Sequence, residues 1–295
     1  MEKYISDFSK HLQYEKTVSP HTLRNYISDI EHFAQYLKQQ KKNVTSVNNV
    51  TIRNYLGNLH KNLKKSSIAR KLSAVRIFIQ YLVREKIIST DVTSLISAAR
   101  QEKKLPLVLD IDEIFHFLET PDISTHLGKR DRAILELMYA TGVRVSELTT
   151  LDLFQISMET STLKVLGKGK KERVVPFGEK AKEALQHYLT IRTSFLKKGE
   201  TSPAFFLSHV GTRLTSRSVA RMIDKYVLMC GNRRKIHPHA IRHTFATHLL
   251  SNGANLRDIQ ELLGHESLST TQKYTQVSIT KLMEEYDKSH PKARN

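Results

Sequence analysis

The sequence predicts a mainly α-helical fold with a small antiparallel β-sheet, divided into two domains. The chain has 295 residues, enough for two domains that each bury a core. Apolar residues recur at helical spacing through the first hundred residues and again beyond residue 110. The one convincing strand signal is a pair of segments, TLKVLG and ERVVPF, that flank KGKK and predict a hairpin over 162–177.

The first long helix has a clear start signal at SPHTLRNYISDIEHFAQYL. Ser19 is a favourable N-cap residue, and Pro20 suits the first helical position. Apolar side chains then follow at helical spacing as far as Leu37. We therefore expect an amphipathic helix that begins at Pro20.

Three more helices are expected before residue 100. Thr51 is the predicted cap of one that runs to about Leu63, and Ser66 or Ser67 is the predicted start of the next. A short helix over 91–99 completes the predicted four-helix bundle. The charged, aperiodic segment RQEKKLPLVLD predicts an interdomain linker. We place an N-terminal domain at 1–100, the linker at 101–109 and a C-terminal domain at 110–295.

The second domain opens on a capping box, in which Asp110 is followed three residues later by Glu113. A helix is predicted over about 130–140, with Gly142 as its C-terminal stop. AFFLS, at 204–208, is a candidate for one more strand. The remainder reads as helical to about Tyr286.

The last predicted helix has an apolar stripe with two possible partners. The stripe consists of Ile279, Leu282, Met283 and Tyr286. It could pack on its own domain, or it could dock on a neighbouring copy of the chain. The sequence pattern leaves both open.

Composition excludes several classes of protein. Cys230 is the one cysteine, so neither an internal disulfide nor a cysteine-based zinc site is possible. No apolar run approaches the ~18 residues that a membrane-spanning helix needs. The segment MEKYISDFSK lacks the apolar region of a secretory signal. We expect a cytoplasmic protein without a membrane partner.

The distribution of charge predicts a nucleic-acid partner. The formal net charge is +18, and no acidic residue occurs between His32 and Arg84. That stretch holds eleven basic residues on predicted helices, which indicates a folded basic face for a polyanion. They are Lys38, Lys41, Lys42, Arg53, Lys61, Lys64, Lys65, Arg70, Lys71, Arg76 and Arg84.

A set of polar residues suited to phosphodiester chemistry is spread over the second domain. Two arginines can bind the phosphate oxygens bidentately at any pH. A lysine can protonate a leaving alkoxide, histidines can move protons, and a phenol can act as the nucleophile. The candidates are Arg144, Lys168, His239, Arg242, His265 and Tyr274.

Four segments carry a specific resemblance to a known family. ATGVRVSEL, VLGKGKKERVVPF, HPHAIRHTFATHLL and LLGHESLSTTQKYT resemble the signature blocks of the tyrosine recombinases, in the same order. The likeness extends over essentially the whole chain and is greatest to the bacterial Xer recombinases, which resolve chromosome dimers. Gln276 departs from the histidine that many relatives carry after Tyr-Thr, but it is not one of the six candidate residues.

The resemblance implies a role for each candidate residue. Arg144 and Arg242 would bind the scissile phosphate, and Lys168 would be the general acid for the 5′-oxygen. His239 would assist proton transfer, and His265 would contact the phosphate. Tyr274 would attack to form a 3′-phosphotyrosyl link, a chemistry that requires neither a metal, nor ATP, nor another cofactor.

The resemblance also implies an assembly. The N-terminal domain would be a SAM-like, core-binding bundle that forms a clamp on duplex DNA with the catalytic domain. Two DNA sites would be held by a homotetramer, or by a heterotetramer with a paralogous recombinase. In such a ring of four, the helix with the stripe from Ile279 to Tyr286 would dock on a neighbouring subunit. A cell-division DNA translocase is a further expected partner.

Four other functions share some of these features. A zinc hydrolase would need a glutamate where Ala240 stands between His239 and His243. A non-catalytic DNA-binding protein would explain the charge but not the six candidate residues. A type IB topoisomerase shares the chemistry, and an integrase of a phage or mobile element is the nearest alternative.

Overall fold

The computed structural model describes residues 1–16, 18–96, 107–167, 172–231, 234–264 and 286–292. The chain divides into two compact units, with the boundary between Lys104 and Leu105. The expected fold class is confirmed, since the described residues are mostly helical with one three-stranded antiparallel sheet. Among the described helices, none combines the length and the apolar character needed to span a lipid bilayer.

The first unit is built from four helices around one apolar core. Phe8, Phe33, Tyr55 and Phe78 are fully or almost fully buried in it. Lys71 and Asp29 form a buried ion pair beside this core. The helices are α1 (Glu2–Tyr14), α2 (Pro20–Gln39), α3 (Asn49–His60) and α4 (Lys65–Arg84).

The predicted start of α2 is confirmed, whereas the predicted cap of α3 is wrong. The Ser19 side chain accepts a hydrogen bond from the Thr22 amide, 3.1 Å away, and Pro20 occupies the first turn. For α3, the cap is Asn48, whose Oδ1 accepts from the amide and the hydroxyl of Thr51, both at 2.9 Å. The asparagine therefore caps the helix three residues before the threonine.

The predicted helix over 91–99 is also wrong for its described part, 91–96, which forms turns. Asp91 Oδ1 accepts from the amide and the hydroxyl of Thr93, at 2.8 and 2.5 Å. Such a local bond offers the backbone an alternative to helix. The fourth helix of the unit is instead α1, which the sequence analysis missed, and α4 begins at Lys65, just before the predicted serines.

The second unit has seven further helices and the sheet among its described residues. Its core is centred on α6, which packs against α8 and α10 and is buried along most of its length. The helices are α5 (Ile111–Glu119), α6 (His126–Thr141), α7 (Val145–Thr150), α8 (Glu179–Arg192), α9 (Ser216–Met229), α10 (Pro238–Ser251) and α11 (Leu256–Leu263).

The sheet confirms the predicted hairpin. Strands β1 (Ile156–Ser157), β2 (Thr162–Leu166) and β3 (Glu172–Pro176) pair in that order and antiparallel, with Val165 opposite Arg173. The predicted strand at 204–208 is wrong, since Ala204 and Leu207 make only isolated bridges.

Both helix boundaries predicted around α5 and α6 are confirmed. The Asp110 side chain accepts from the Glu113 amide at 2.7 Å, and the Glu113 side chain accepts from the Asp110 amide at 3.1 Å. Gly142 ends α6 in the left-handed conformation, with φ of 58°. A Cβ there would lie 2.3 Å from a ring carbon of Phe245, so glycine is required by close contact as well as by conformation.

Residues 286–292, which we call the C-terminal clip, pack into the core of their own unit. Tyr286 is 2% exposed, and its hydroxyl accepts from the Gly178 amide at 3.1 Å. Tyr286, the last apolar residue of the predicted stripe, therefore packs on its own domain and not on a neighbouring copy of the chain. The other three, Ile279, Leu282 and Met283, lie outside the described residues.

His290 and Lys292 complete the clip with buried polar contacts to α6. The His290 ring stacks on Tyr286, with centroids 4.7 Å apart, and its Nε2 donates to the Tyr139 carbonyl at 3.3 Å. Lys292 Nζ donates to Glu136 Oε1 at 2.8 Å, and both side chains are buried. The clip thus anchors the chain beyond the segment that contains Tyr274.

Candidate active site

Three of the six predicted site residues lie within the described part of the chain, and they belong to two neighbouring regions. Arg144 immediately precedes α7, while His239 and Arg242 lie on the first turns of α10. The other three, Lys168, His265 and Tyr274, lie outside the described residues.

Arg144 is held at the N-terminus of α7 by Glu147. The Arg144 amide donates to Glu147 Oε2 at 2.8 Å, and Arg144 Nη1 donates to Glu147 Oε1 at 2.9 Å. The side chain of Arg144 nevertheless stays 41% exposed, whereas that of Glu147 is 5% exposed. The guanidinium is therefore oriented by one buried carboxylate while part of it still faces solvent.

Arg242 is buried and bound to two backbone carbonyls. Its Nη1 donates to Gly142 O and its Nη2 donates to Leu263 O, each at 2.6 Å. Burial, reinforced by the positive charge of Arg144, lowers the pKa of Arg242 to about 10. The guanidinium therefore remains charged at neutral pH and joins the end of α6 to the end of α11.

The two arginines converge on the C-terminal end of α11. Arg144 Nη1 lies 3.4 Å from the Leu263 carbonyl that also accepts from Arg242, and Arg144 Nη2 lies 3.4 Å from the Gly264 carbonyl. Gly264 ends α11 in the left-handed conformation and directly precedes His265. The two guanidinium groups thus lie about one short backbone segment, and charged donors of this kind can bind phosphate oxygens.

His239 lies one turn from Arg242 on the same helix and is exposed. Loss of solvation beside the neighbouring side chains is the main reason that the pKa of His239 lies below its usual value, and the charges of His237 and Arg242 lower it further. A neutral imidazole at physiological pH can accept a proton. The position and the pKa of His239 both suit a proton acceptor at this site.

Two neighbouring histidines have structural contacts. His237 caps α10, since its Nδ1 accepts from the Ala240 amide at 3.0 Å. His248 is buried between the Tyr139 hydroxyl and the Leu109 carbonyl, each 2.9 Å from a ring nitrogen. Within the described ranges, no three histidine, cysteine, aspartate or glutamate residues are grouped as metal ligands would be.

Arg173 is buried in β3 beside the site and was not among the predicted residues. Its Nη1 and Nη2 donate to the two oxygens of Glu147, at 3.0 and 2.8 Å, and its Nε donates to Leu262 O at 2.9 Å. The signal was available, because Arg173 and Val175 are two residues apart in the strand and therefore share its inward face. A cation at such a position is almost never fully buried without a partner.

Glu147 is the one carboxylate bonded to the arginines of the described site. Burial alone would raise the pKa of Glu147, but its hydrogen bonds to Arg173 and then to Arg144 outweigh that effect and lower the pKa. The carboxyl is therefore ionised at neutral pH. Three guanidinium groups against one carboxylate leave the described site with an excess of positive charge for an anionic substrate.

The first unit has a basic surface of its own, although it is smaller than the sequence indicated. Arg70 and Lys71 bind Asp29, Arg84 binds Glu15 and Glu85, and Arg76 donates to the Ile96 carbonyl. Helix packing brings acids from outside the acid-free stretch against three of these residues and a backbone carbonyl against Arg76. The charge available on the predicted basic face is therefore smaller than the eleven residues alone indicate. Seven basic side chains are exposed apart from them: Lys38, Lys41, Lys42, Arg53, Lys61, Lys64 and Lys65.

Comparison with protein families identifies the chain. A model described as "Phage integrase family" matches residues 108–281, and one described as "Phage integrase, N-terminal SAM-like domain" matches residues 5–86. The chain belongs to the tyrosine recombinases of the phage integrase family. Tyrosine recombinases cut and rejoin DNA strands, and this chain is an enzyme of that class.

Curated tyrosine recombinases match this one over nearly their full length. The chain is 47% identical over 293 residues to "Tyrosine recombinase XerC" of Myxococcus xanthus, covering 98% of each protein. It is 42% identical over 296 residues to "Tyrosine recombinase XerD" of Staphylococcus haemolyticus, covering 99% of this chain and 100% of the relative. These relatives support site-specific recombination as the class of reaction.

Solved structures share the fold of this tyrosine recombinase. A structure described as XerH recombinase bound to palindromic difH substrate, in a post-cleavage complex, has a TM-score of 0.72 at 22% identity, covering 96% of this chain and 84% of that one. A lambda integrase dimer bound to a COC′ core site has a TM-score of 0.71 at 20% identity, covering 99% and 78%.

Proposed function

We propose that this protein is a site-specific recombinase that acts through a covalent 3′-phosphotyrosyl intermediate at Tyr274. The observation that carries the proposal is the convergence of Arg144 and Arg242 on the carbonyls of residues 263 and 264, next to His265 in the chain. A diester gains negative charge on its oxygens in the transition state. Two guanidinium groups, held in place before the reaction, stabilise that charge.

In the proposed first step, the phenolic oxygen of Tyr274 attacks phosphorus, and the bond from phosphorus to the 5′-oxygen breaks. His239 accepts the phenolic proton, and Lys168 donates a proton to the leaving 5′-oxygen. Arg144, Arg242 and His265 bind the non-bridging oxygens. In the second step, the 5′-hydroxyl of a partner strand attacks the phosphotyrosine, which releases Tyr274 and rejoins the DNA with no net loss of phosphodiester bonds.

The domain roles follow from the same proposal. Residues 1–100 bind the recombination site, 101–109 link the domains, and 110–295 carry the chemistry. The seven exposed basic side chains named above in the acid-free stretch support the DNA-binding role, because Lys and Arg neutralise backbone phosphates. Two double-stranded sites are held by four subunits, which are four copies of this chain or two copies with two of a paralogous recombinase.

The proposed cellular role is the resolution of chromosome dimers at cell division, in the cytoplasm. It is supported by relatives named XerC and XerD, at 42–47% identity over nearly complete chains. These favour a chromosomal site over a mobile-element site. A cell-division DNA translocase is the expected activating partner in this role.

The test has two stages. DNA that remains covalently attached to denatured protein is first isolated from cells and sequenced, which identifies the site. A nicked suicide substrate built on that site is then incubated with the wild type and with Tyr274→Phe. The wild type should give a covalent complex and should recombine two sites on one plasmid, and the variant should do neither while still binding DNA. Relaxation of supercoils without recombination would indicate a topoisomerase instead.

A further inference from the structure

Arg173 makes three polar contacts at the candidate site that the pairing and the burial of β3 do not require. The strand is already paired along its length with β2, and Val175 and Phe177 supply apolar burial. All three guanidinium nitrogens of Arg173 are nevertheless directed at the site, two to Glu147 and one to the Leu262 carbonyl. Arg173 is 5% exposed, so it cannot itself contact substrate.

The contacts with Glu147 determine what Arg144 can do. Arg173 binds both oxygens of Glu147, whereas the side chain of Arg144 shares only Oε1, through Nη1. Arg144 Nη2 makes no bond to the carboxylate. Oε2 of Glu147 also accepts from the Arg144 amide at 2.8 Å. If Arg173 were absent, both carboxylate oxygens would gain room for the side chain of Arg144, and a two-oxygen pair is the favoured geometry of an arginine and a carboxylate. Such a pairing would neutralise Arg144 and occupy its donors.

The same side chain supports the second arginine. Arg173 fixes the Leu262 carbonyl, and the next carbonyl along the chain, that of Leu263, accepts from Arg242 at 2.6 Å. The guanidinium also lies against Gly264, where an added Cβ would be 3.1 Å from Nη1. The end of α11, on which both candidate phosphate-binding arginines converge, is thus held by Arg173.

We propose that Arg173 is a positioning residue, which occupies Glu147 so that the guanidinium of Arg144 remains available to the scissile phosphate. The proposal rests on the proposed function of Arg144 in phosphate binding. It assigns to a buried strand residue the task of keeping a carboxylate from competing with the substrate. The scissile phosphate and the carboxylate of Glu147 would otherwise compete for the same donors of Arg144.

The test compares Arg173→Met, Glu147→Gln and the double variant on a nicked suicide substrate. For Arg173→Met we expect cleavage to fall by ~10- to 10²-fold, comparable to the loss of one transition-state donor, with DNA affinity nearly unchanged. Adding Glu147→Gln to Arg173→Met should restore part of the rate, since the competing negative charge is gone. Neutralising Glu147 would also relieve a loss of stability caused by its unpaired buried charge, so cleavage is compared per folded molecule.

A substrate with a methylphosphonate at the scissile position gives an independent readout. Because this linkage carries one negative charge less, its cleavage depends less on the free charge of Arg144. We expect the defect of Arg173→Met to shrink to less than about threefold on this substrate, in line with a transition-state electrostatic effect. Should Arg173→Met fail to fold, Arg173→Lys, which keeps the charge but not the fork, should show a smaller defect with the same dependence on substrate.

Two reference variants separate the possible failures. Arg130→Met removes another buried arginine that binds a carboxylate, Asp131, in the same unit. It should lower stability but leave cleavage per folded molecule unchanged on both substrates. If Arg144→Ala cuts the phosphodiester like the wild type, the proposed function of Arg144 fails. If Arg144→Ala is defective but Arg173→Met cleaves like the wild type, the positioning role is overturned. It is also overturned if the defect of Arg173→Met is equal on both substrates and is not relieved by Glu147→Gln.

Discussion

Mild acid should destabilise the second unit through His290 of the C-terminal clip. The ring is 5% exposed and lies among Tyr139, Phe245 and Tyr286. Its Nε2 donates to Tyr139 O and its Nδ1 accepts from the Lys292 amide, so both nitrogens are used by the neutral form. Burial is the main reason that the pKa of His290 falls to about 3.

The magnitude follows from the difference in proton binding between the folded and unfolded states. In the unfolded chain, histidine titrates near 6.5, so between about pH 6.5 and pH 3 the unfolded state binds one more proton at this position. The free energy of unfolding therefore decreases as the pH falls through this window, by about 1.4 kcal/mol per pH unit. At pH 5 the loss from His290 amounts to about 2 kcal/mol.

The assay is urea unfolding of the wild type and His290→Phe at pH 7, 6 and 5. At pH 7 the variant should be less stable, by about 1 kcal/mol for each of the two lost hydrogen bonds. At pH 5 that difference should shrink by about 2 kcal/mol, because phenylalanine takes up no proton. His248, whose pKa burial also lowers, is present in both proteins and cancels.

The exposed His187 on α8 supplies a control. His187→Gln should not reproduce the behaviour of His290→Phe, because the exposed ring makes none of the buried contacts of His290. If the difference between the wild type and His290→Phe stays constant from pH 7 to pH 5, the His290 ring is hydrated or charged in the folded protein. The description of the clip as a buried anchor would then be wrong.

Three further outcomes are expected. Arg242→Ala should lower cleavage by at least ~10²-fold and also destabilise the fold, by about 1.5–3 kcal/mol for each bond lost to Gly142 O and Leu263 O; near-normal cleavage would contradict its role. Lys168→Ala should stop cleavage of normal DNA but not of DNA with sulfur in place of the leaving 5′-oxygen, since a thiolate leaves without a proton; failure of the rescue would point to another acid. DNA affinity should fall steeply with salt, with a logarithmic slope of about −6 if the seven exposed basic side chains of the acid-free stretch all meet phosphates; a flat response would exclude a basic DNA-binding face.

The elements that were predicted well depend on contacts within a few residues. The caps at Ser19 and Asp110, the stop at Gly142 and the hairpin over 162–177 all involve partners that are close in the chain. The errors at Thr51 and over 91–96 are local as well. In both places a nearby Asn or Asp side chain competes for the same backbone amides, which apolar periodicity does not reveal.

The features that were missed depend on distant contacts. The pairing of Arg173 with Glu147 joins a strand to a helix, and the clip joins residues 286–292 to α6. Sequence periodicity indicates that such side chains face inward but not what they meet. Likewise, the family signature predicted that Arg144 and Arg242 act together, but only the fold shows that both reach the end of α11.

The burial of Tyr286 changes how the C-terminal segment should be tested. Ending the chain after Ser278 would remove the clip and open the core of the second unit, so loss of DNA assembly in that truncation would not establish exchange between subunits. Substitutions confined to Ile279, Leu282 and Met283 would leave the clip in place. They are the appropriate probe of whether the segment docks on a neighbouring subunit.

The central claim is that Tyr274 is the residue that becomes joined to DNA. The most direct measurement is mass spectrometry of the trapped covalent complex after digestion with nuclease and protease. We expect one modified peptide, spanning TTQKYTQVS, with a nucleotide 3′-phosphate on Tyr274. A nucleotide on another residue, or on a 5′-phosphate, would contradict the assignment and the reaction proposed from it.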